Sequence, residues 1–158
     1  MANTQSMCTS FMGELLTATH NFGTAPTRGT STADTFKAAL YLTTATVNAS
    51  TTAYSATNEV SGLNYTAGGV SISGWNTPTA TNSSSTAGVA FTTPTASISY
   101  TSVTLSTAFD CVLIYTSTQS NKAVSVHTFG SQTITAGTFT LTMPTNNTTN
   151  ALLRLATT

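Results

Sequence analysis

Three features of this chain predict an all-β fold. After residue 34, apolar side chains recur at every second position in most segments, which is the spacing of strands with one buried face. Clusters of Gly, Pro, Asn and Ser separate these segments, as turns do. The chain also contains 39 Thr and 19 Ser, and the β-branched Thr side chain favours a pleated surface. These features predict an antiparallel two-sheet sandwich of jelly-roll or immunoglobulin-like type, preceded by a short N-terminal helix and arm.

The first 33 residues are predicted to form this helix and arm. Met7, Phe11 and Leu15 recur every four residues, the spacing of one apolar helix face. The polar segment Asn21–Gly29 that follows contains Gly and Pro and is typical of a loop. We therefore expect residues 1–33 to be a docking segment and residues 34–158 to form the β-sandwich domain.

Two strands and one long loop are predicted in the first half of the domain. Thr35–Leu42 is the first strand candidate, and Val70–Ser73, which follows a Gly-Gly pair, is the second. The segment Trp75–Gly88 contains Pro78 and three consecutive Ser residues, and it lacks large apolar side chains beyond Trp75. This composition predicts an exposed loop, with a mobile tip.

The second half of the domain has a nearly continuous β pattern. Ile98 and Tyr100 share one parity, whereas Val103 and Leu105 have the other, so we predict a bulge or bend at Thr101–Ser102.

The strand Cys111–Tyr115 is apolar at every position, which is typical of a central strand buried on both faces. A turn at Asn121–Lys122 would join it to a hairpin partner at Ala123–Phe129. Two further strands are predicted, at Phe139–Met143, where Pro144 ends the pattern, and at Ala151–Ala156, where Leu153 and Leu155 share one face.

Charged side chains are too few and too scattered for the usual catalytic and metal sites. Four acidic and four basic residues are the whole supply, whereas an ordinary soluble domain carries about a quarter charged residues. The acidic residues Glu14, Asp34, Glu59 and Asp110 are isolated from one another in sequence, and no phosphate-binding loop or nucleophile elbow is present. We therefore expect no catalytic residue, no cofactor and no metal, and we expect His127 to be a packed or surface histidine of a strand.

The charge balance also limits the partners. A formal net charge of zero gives no long-range attraction to phosphate or to anionic lipid, so we expect no nucleic acid and no membrane partner. It also weakens repulsion between copies and favours a homo-oligomer.

Met1–Gly13 has no basic start and no continuous apolar stretch, so we expect no secretory signal and synthesis in a reducing cytoplasm. There, Cys8 and Cys111 are expected to be buried thiols.

Several segments of the chain, from about Asp34 to the C-terminus, resemble one family. These segments are Asp34–Tyr41 (DTFKAALY), Thr52–Gly62 (TAYSATNEVSG), Tyr65–Val70 (YTAGGV), Phe109–Tyr115 (FDCVLIY), Ala123–Gly130 (AVSVHTFG) and Gly137–Pro144 (GTFTLTMP). The family comprises small β-rich structural proteins of tailed-bacteriophage virions, which serve as capsid decoration (cement) proteins or are associated with the tail.

The resemblance implies a protein of the phage head, made in the bacterial cytoplasm, with the major capsid protein and itself, in a homotrimer or other homo-oligomer, as partners. A tail, baseplate or head-fibre protein with a receptor- or glycan-binding surface is the alternative. A carbohydrate-binding module that uses Trp75, Tyr54 and Tyr65 and an enzyme are the remaining hypotheses, and the latter has almost no residues to support it. The residues expected at the interface are Met7, Phe11, Leu15, Phe22 and Trp75, of which the first three would bury in a neighbour instead of in their own core.

Overall fold

The computed structural model describes residues 3–8, 11, 15, 19–20, 22, 33–83 and 86–156. Its strands form one five-stranded and one three-stranded antiparallel sheet, and the predicted all-β sandwich is confirmed. In chain order the strands are β1 (Ser6–Met7), β2 (Phe36–Leu42), β3 (Val70–Ser71), β4 (Thr79–Ser83), β5 (Thr86–Thr92), β6 (Ile98–Thr116), β7 (Lys122–Leu141) and β8 (Leu153–Ala156).

The five-stranded sheet is built around the β6–β7 hairpin and has the order β1-β7-β6-β2-β3. Cys111–Tyr115 lies in β6 between β2 and β7, and each of its residues is buried, as its uninterrupted apolar sequence predicts. The predicted hairpin partner is confirmed, because Leu113 pairs with Val126. Asn121 in the connecting turn has a φ of 59°, a left-handed conformation that Asn tolerates well.

The predicted phase slip in β6 is also confirmed. The pairing jumps from Tyr100–Phe139 to Val103–Gly137, and Ser102 has a φ of 54°. The bulge turns Tyr100 and Val103 to the same buried side although their parities differ. Further register shifts follow along the hairpin. The strand predicted at Ala123–Phe129 lies wholly within β7, and the one predicted at Phe139–Met143 begins in β7, which ends at Leu141.

The exposed loop predicted at Trp75–Gly88 is wrong. β4 and β5 form a hairpin there, in which Ala80 pairs with Ala90 and Thr81 with Val89. Pattern analysis missed β4 because Thr79, Ala80 and Thr81 are all exposed, so the strand has no buried face to give an apolar alternation.

The three-stranded sheet has the order β4-β5-β8, and β8 confirms the strand predicted at the C-terminus. Leu153 is buried in the core, whereas Leu155 on the same face is 41% exposed. This sheet therefore covers the core only in part.

The N-terminal segment differs from the predicted helix in one respect. Met7 belongs to β1, which pairs with β7 through Ser6–Val126 and Met7–Ser125, so the helix prediction is wrong for this residue. Phe11 and Leu15 have helical conformation. The other residues from 9 to 18, and nearly all of the predicted arm, lie outside the described residues.

The core is built mainly from strands of the five-stranded sheet. Leu40, Phe109 and Leu113 are fully buried, and each buried side chain of this size contributes about 1.5–3 kcal/mol. β2 contributes the small residue Ala38, whose carbonyl oxygen would lie 1.7 Å from a Cβ atom at residue 69. Only Gly fits at Gly69, where φ is 70° and the backbone crosses β2 closely.

Candidate functional site

The five residues predicted at an interface lie against the chain's own core. Phe11 and Phe22 belong to the core cluster, and Met7, Leu15 and Trp75 are partly buried against it. The structure therefore differs from the expectation that Met7, Phe11 and Leu15 bury in a neighbour instead of in their own core. Their side chains are the apolar groups that fasten the N-terminal segment to the sandwich, and contact of their remaining surface with another subunit stays a prediction.

An aromatic cluster holds this segment in place. Phe22 stacks on Phe36 of β2 with 4.5 Å between ring centroids, and Trp75 meets both rings edge-on at 4.9 and 5.3 Å. Phe11 meets Phe22 edge-on at 5.8 Å. Such pairs add about 0.5–1.5 kcal/mol each beyond burial. The indole N–H of Trp75 is buried without a hydrogen-bond partner in the part of the chain that the structure describes.

A cavity of about 280 Å³ separates the N-terminal segment from the small sheet. Its walls are predominantly apolar, and the residues that form most of them are Met7, Phe11, Leu15, Phe91, Leu153 and Leu155. Four of the five predicted interface residues, all except Trp75, are thus brought together around one open apolar space.

A buried carboxylate, that of Glu59, accepts three hydrogen bonds from its surroundings. Glu59 Oε2 accepts a hydrogen bond from the Tyr54 hydroxyl at 2.6 Å, while Oε1 accepts from the Tyr65 hydroxyl at 2.7 Å and from the Gly68 N–H at 2.8 Å. We call these four residues the Glu59 cluster. The Tyr65 hydroxyl also accepts from the backbone N–H of Leu40, which ties the cluster to β2.

The Glu59 cluster is suited to structure more than to proton transfer. Burial, and next the hydrogen bond to Glu59, raise the pKa of Tyr54 and of Tyr65 well above the usual range, so both phenols remain donors at ordinary pH. Sequence reasoning treated Glu59 as an isolated acid in a polar stretch. The sequence features that could have indicated the cluster are the two tyrosines on either side of Glu59 and the Gly-Gly pair after them. No known motif relates such residues by a fixed spacing.

The aromatic residues proposed for sugar stacking belong to three different pairs. Tyr54 stacks on Tyr115 at 4.7 Å, and Tyr65 on Tyr100 at 5.9 Å. Trp75 packs against the phenylalanines described above. Since each ring uses a face or edge for an internal contact, the three do not form one shared platform.

Cys111 and His127 are held in unreactive forms. Burial, aided by Asp110, raises the pKa of the Cys111 thiol to about 12, which keeps it protonated. Burial lowers the pKa of His127 to about 4, and its Nε2 lies 2.9 Å from the Ser125 hydroxyl. Both Cys8 and Cys111 are buried, as expected. Across the described ranges, no three His, Cys, Asp or Glu side chains lie close enough together to hold a metal ion.

Comparison of the chain with known protein families, curated proteins and solved structures finds no match. A search of the described residues finds no helix with the length and apolar character needed to cross a membrane.

Proposed function

We propose that this protein is a structural component of a tailed-bacteriophage virion, most specifically a capsid decoration protein that bridges subunits of the major capsid protein. The observation that carries the proposal is a β-sandwich whose surface is rich in hydroxyl groups and nearly free of charge. From Ala123 to Leu153 no residue carries a formal charge.

The surface chemistry supports docking onto other subunits. Thr133, Thr135, Thr138 and Thr140 are exposed along β7. Threonine hydroxyls hydrogen-bond to a neighbouring protein with a smaller desolvation cost than Lys or Glu side chains, which must lose a strongly bound hydration shell. A surface of this kind suits a protein that spends its working life in contact with other proteins.

A decoration protein acts by mass action on the assembled shell. It binds the closed lattice and not the separate subunits, so its binding free energy stabilises the particle against the pressure of packaged DNA. Copies at local threefold axes would form trimers, because the shell supplies that symmetry.

Local roles account for the carboxylates within the described residues, which leaves little support for hydrolytic chemistry. Glu59 anchors two tyrosines and a turn, and Asp110 accepts a hydrogen bond from Asn3 at 2.6 Å. Asp34 accepts from the Thr118 hydroxyl and the Gln119 amide.

One observation favours a second candidate, a tail, baseplate or head-fibre protein with a receptor- or glycan-binding surface. In the β4–β5 hairpin, Thr79, Ala80 and Thr81 are exposed on both faces of the strand, so β4 presents side chains to solvent in two directions. A strand exposed in this way suits contact with a host surface as well as with a neighbouring subunit.

A stop codon in the gene of the encoding phage separates the two candidates. For a decoration protein, we expect mutant particles to assemble, adsorb normally and lose their DNA on mild heating sooner than wild-type particles. Normal heat resistance with lost adsorption would favour the tail or fibre role. Particles indistinguishable from wild type in both respects would contradict a structural role in the virion.

A further inference from the structure

Three neighbouring cavities of the sandwich together form what we call the groove. They have volumes of about 260, 510 and 280 Å³ and share lining residues. His127 and Leu152 line both the first and the second cavity, and Met7 and Leu153 line both the second and the third.

The edge strands of two sheets line the middle of this groove. β1 ends the five-stranded sheet and β8 ends the three-stranded one. Ser6 and Met7 of β1 and Leu153 and Arg154 of β8 line the central cavity, together with the adjoining residues Gln5 and Asn150–Leu152. Such edges have hydrogen-bonding groups available for another strand.

The two ends of the groove are apolar and its middle is polar. One end is lined by Phe129, Phe139, Leu141 and Met143, and the other is the apolar cavity beside Phe11 and Phe91. The central cavity has a mostly polar lining that includes Gln5, Ser125, His127 and Arg154.

Arg154 sets the charge of the groove. Among the described lining residues, it is the one with a formal charge at neutral pH, and its side chain is exposed. One arm of its guanidinium donates to the Thr149 carbonyl oxygen of its own chain. A guanidinium has five N–H donors in a fixed fork, so others are available for a carboxylate.

We propose that this groove binds an extended peptide segment of another protein, with a carboxylate side chain opposite Arg154 and apolar side chains on either side. An added strand satisfies the open edges of β1 and β8 by backbone hydrogen bonds, and pockets at alternate positions give specificity. The carboxylate follows from charge complementarity with Arg154. Only the assignment of the segment to a capsid subunit depends on the proposed function.

The test uses the purified protein and a fluorescent nonapeptide, Val-Thr-Phe-Thr-Glu-Thr-Leu-Thr-Val, with blocked ends. In a strand its Phe, Glu and Leu side chains share one face. The comparison peptide has Lys in place of Glu. By fluorescence anisotropy at low salt, we expect the Glu peptide to bind about tenfold more tightly than the Lys peptide.

Three variants locate the binding. Arg154→Glu should reverse the preference between the two peptides, an effect that loss of structure would not produce. Asn150→Trp should fill the central cavity and weaken the Glu peptide about tenfold or more, whereas Thr148→Trp, which adds the same ring at an exposed position outside the lining, should leave binding unchanged.

Equal binding of both peptides, no binding, or binding that Asn150→Trp leaves intact would overturn the proposal. Self-association of the protein that Asn150→Trp abolishes, measured by analytical ultracentrifugation, would assign the groove to a second copy and also overturn it. The outcome is independent of the proposed function, since a protein absent from phage particles would refute the virion role and leave the peptide result standing.

Discussion

Replacing Glu59 with Gln tests the role of the most buried carboxylate among the described residues while keeping its shape. The side chain is 9% exposed and accepts three short hydrogen bonds, two from tyrosine hydroxyls and one from a backbone N–H. In Glu59→Gln, the carbonyl oxygen can keep Tyr65 and Gly68 as donors, but the new NH₂ group faces Tyr54. The Tyr54 hydroxyl must then rotate to accept, and all three bonds lose their charge assistance.

The expected loss follows from the count of bonds. Hydrogen bonds to charged groups contribute about 1.5–3 kcal/mol each and neutral ones about 1 kcal/mol. Because the flexible hydrogen-bond partners can readjust, the total loss of stability is expected to be smaller than the sum of the three differences. We expect Glu59→Gln to lower the free energy of unfolding by about 2 kcal/mol. Glu59→Ala leaves three donors without an acceptor and should cost about 4 kcal/mol or more, a large part of the stability of an ordinary domain.

The assay is urea unfolding followed by tyrosine and tryptophan fluorescence, with a double-mutant cycle that adds Tyr54→Phe. The loss from Tyr54→Phe should be smaller in the Glu59→Gln background than in the wild type, because the bond that it removes is already weakened. Asp34→Asn, which changes a carboxylate nearer the surface, is the control and should cost less than about 1 kcal/mol. Glu59→Gln with wild-type stability, or strict additivity with Tyr54→Phe, would refute the structural role of the cluster.

Three further predictions concern pH, backbone fit and packing. Because burial holds the pKa of His127 at about 4 against an ordinary value of 6.5, the unfolded chain binds the extra proton first as pH falls. The free energy of unfolding should therefore drop by about 2–3 kcal/mol between pH 6.5 and 4. In urea unfolding at several pH values, a His127→Gln variant should lose less stability over that range. The same dependence of stability on pH in both proteins would contradict this. Gly69→Ala should cost more than about 2 kcal/mol, since its Cβ would overlap the Ala38 carbonyl, whereas Gly130→Ala, with no atom within 4 Å of the new Cβ, should change the melting temperature little. Leu113→Ala should cost about 2–5 kcal/mol in denaturant unfolding, and a cost below about 1 kcal/mol would place this residue outside the core.

The parts of the fold that sequence predicts well are those with a buried face. Cys111–Tyr115 is apolar throughout because both of its faces are covered, and the change of parity after Tyr100 indicates the bulge at Ser102 directly. In both places the buried positions are occupied by apolar side chains, and their pattern in the sequence predicts the structure.

The parts that were not predicted have no such apolar pattern. β4 has exposed faces, so nothing in its sequence distinguishes it from a polar loop. Met7 has a helical spacing to Phe11, but it pairs with Ser125 of β7 and so belongs to a strand. This pairing is a tertiary contact, which the local sequence pattern does not predict. The partners of Glu59 come from separate turns, and only the folded backbone brings Gly68 within hydrogen-bond distance.

The most direct test of the virion proposal is to count this protein in purified phage particles by quantitative mass spectrometry against the major capsid protein. A decoration protein should be present on the order of hundreds of copies per particle, in a fixed ratio to the capsid subunit, because each local symmetry axis of the shell repeats the same binding site. A few tens of copies or fewer would indicate a location in the tail or at a vertex. Absence of the protein from washed particles would contradict a structural role in the virion.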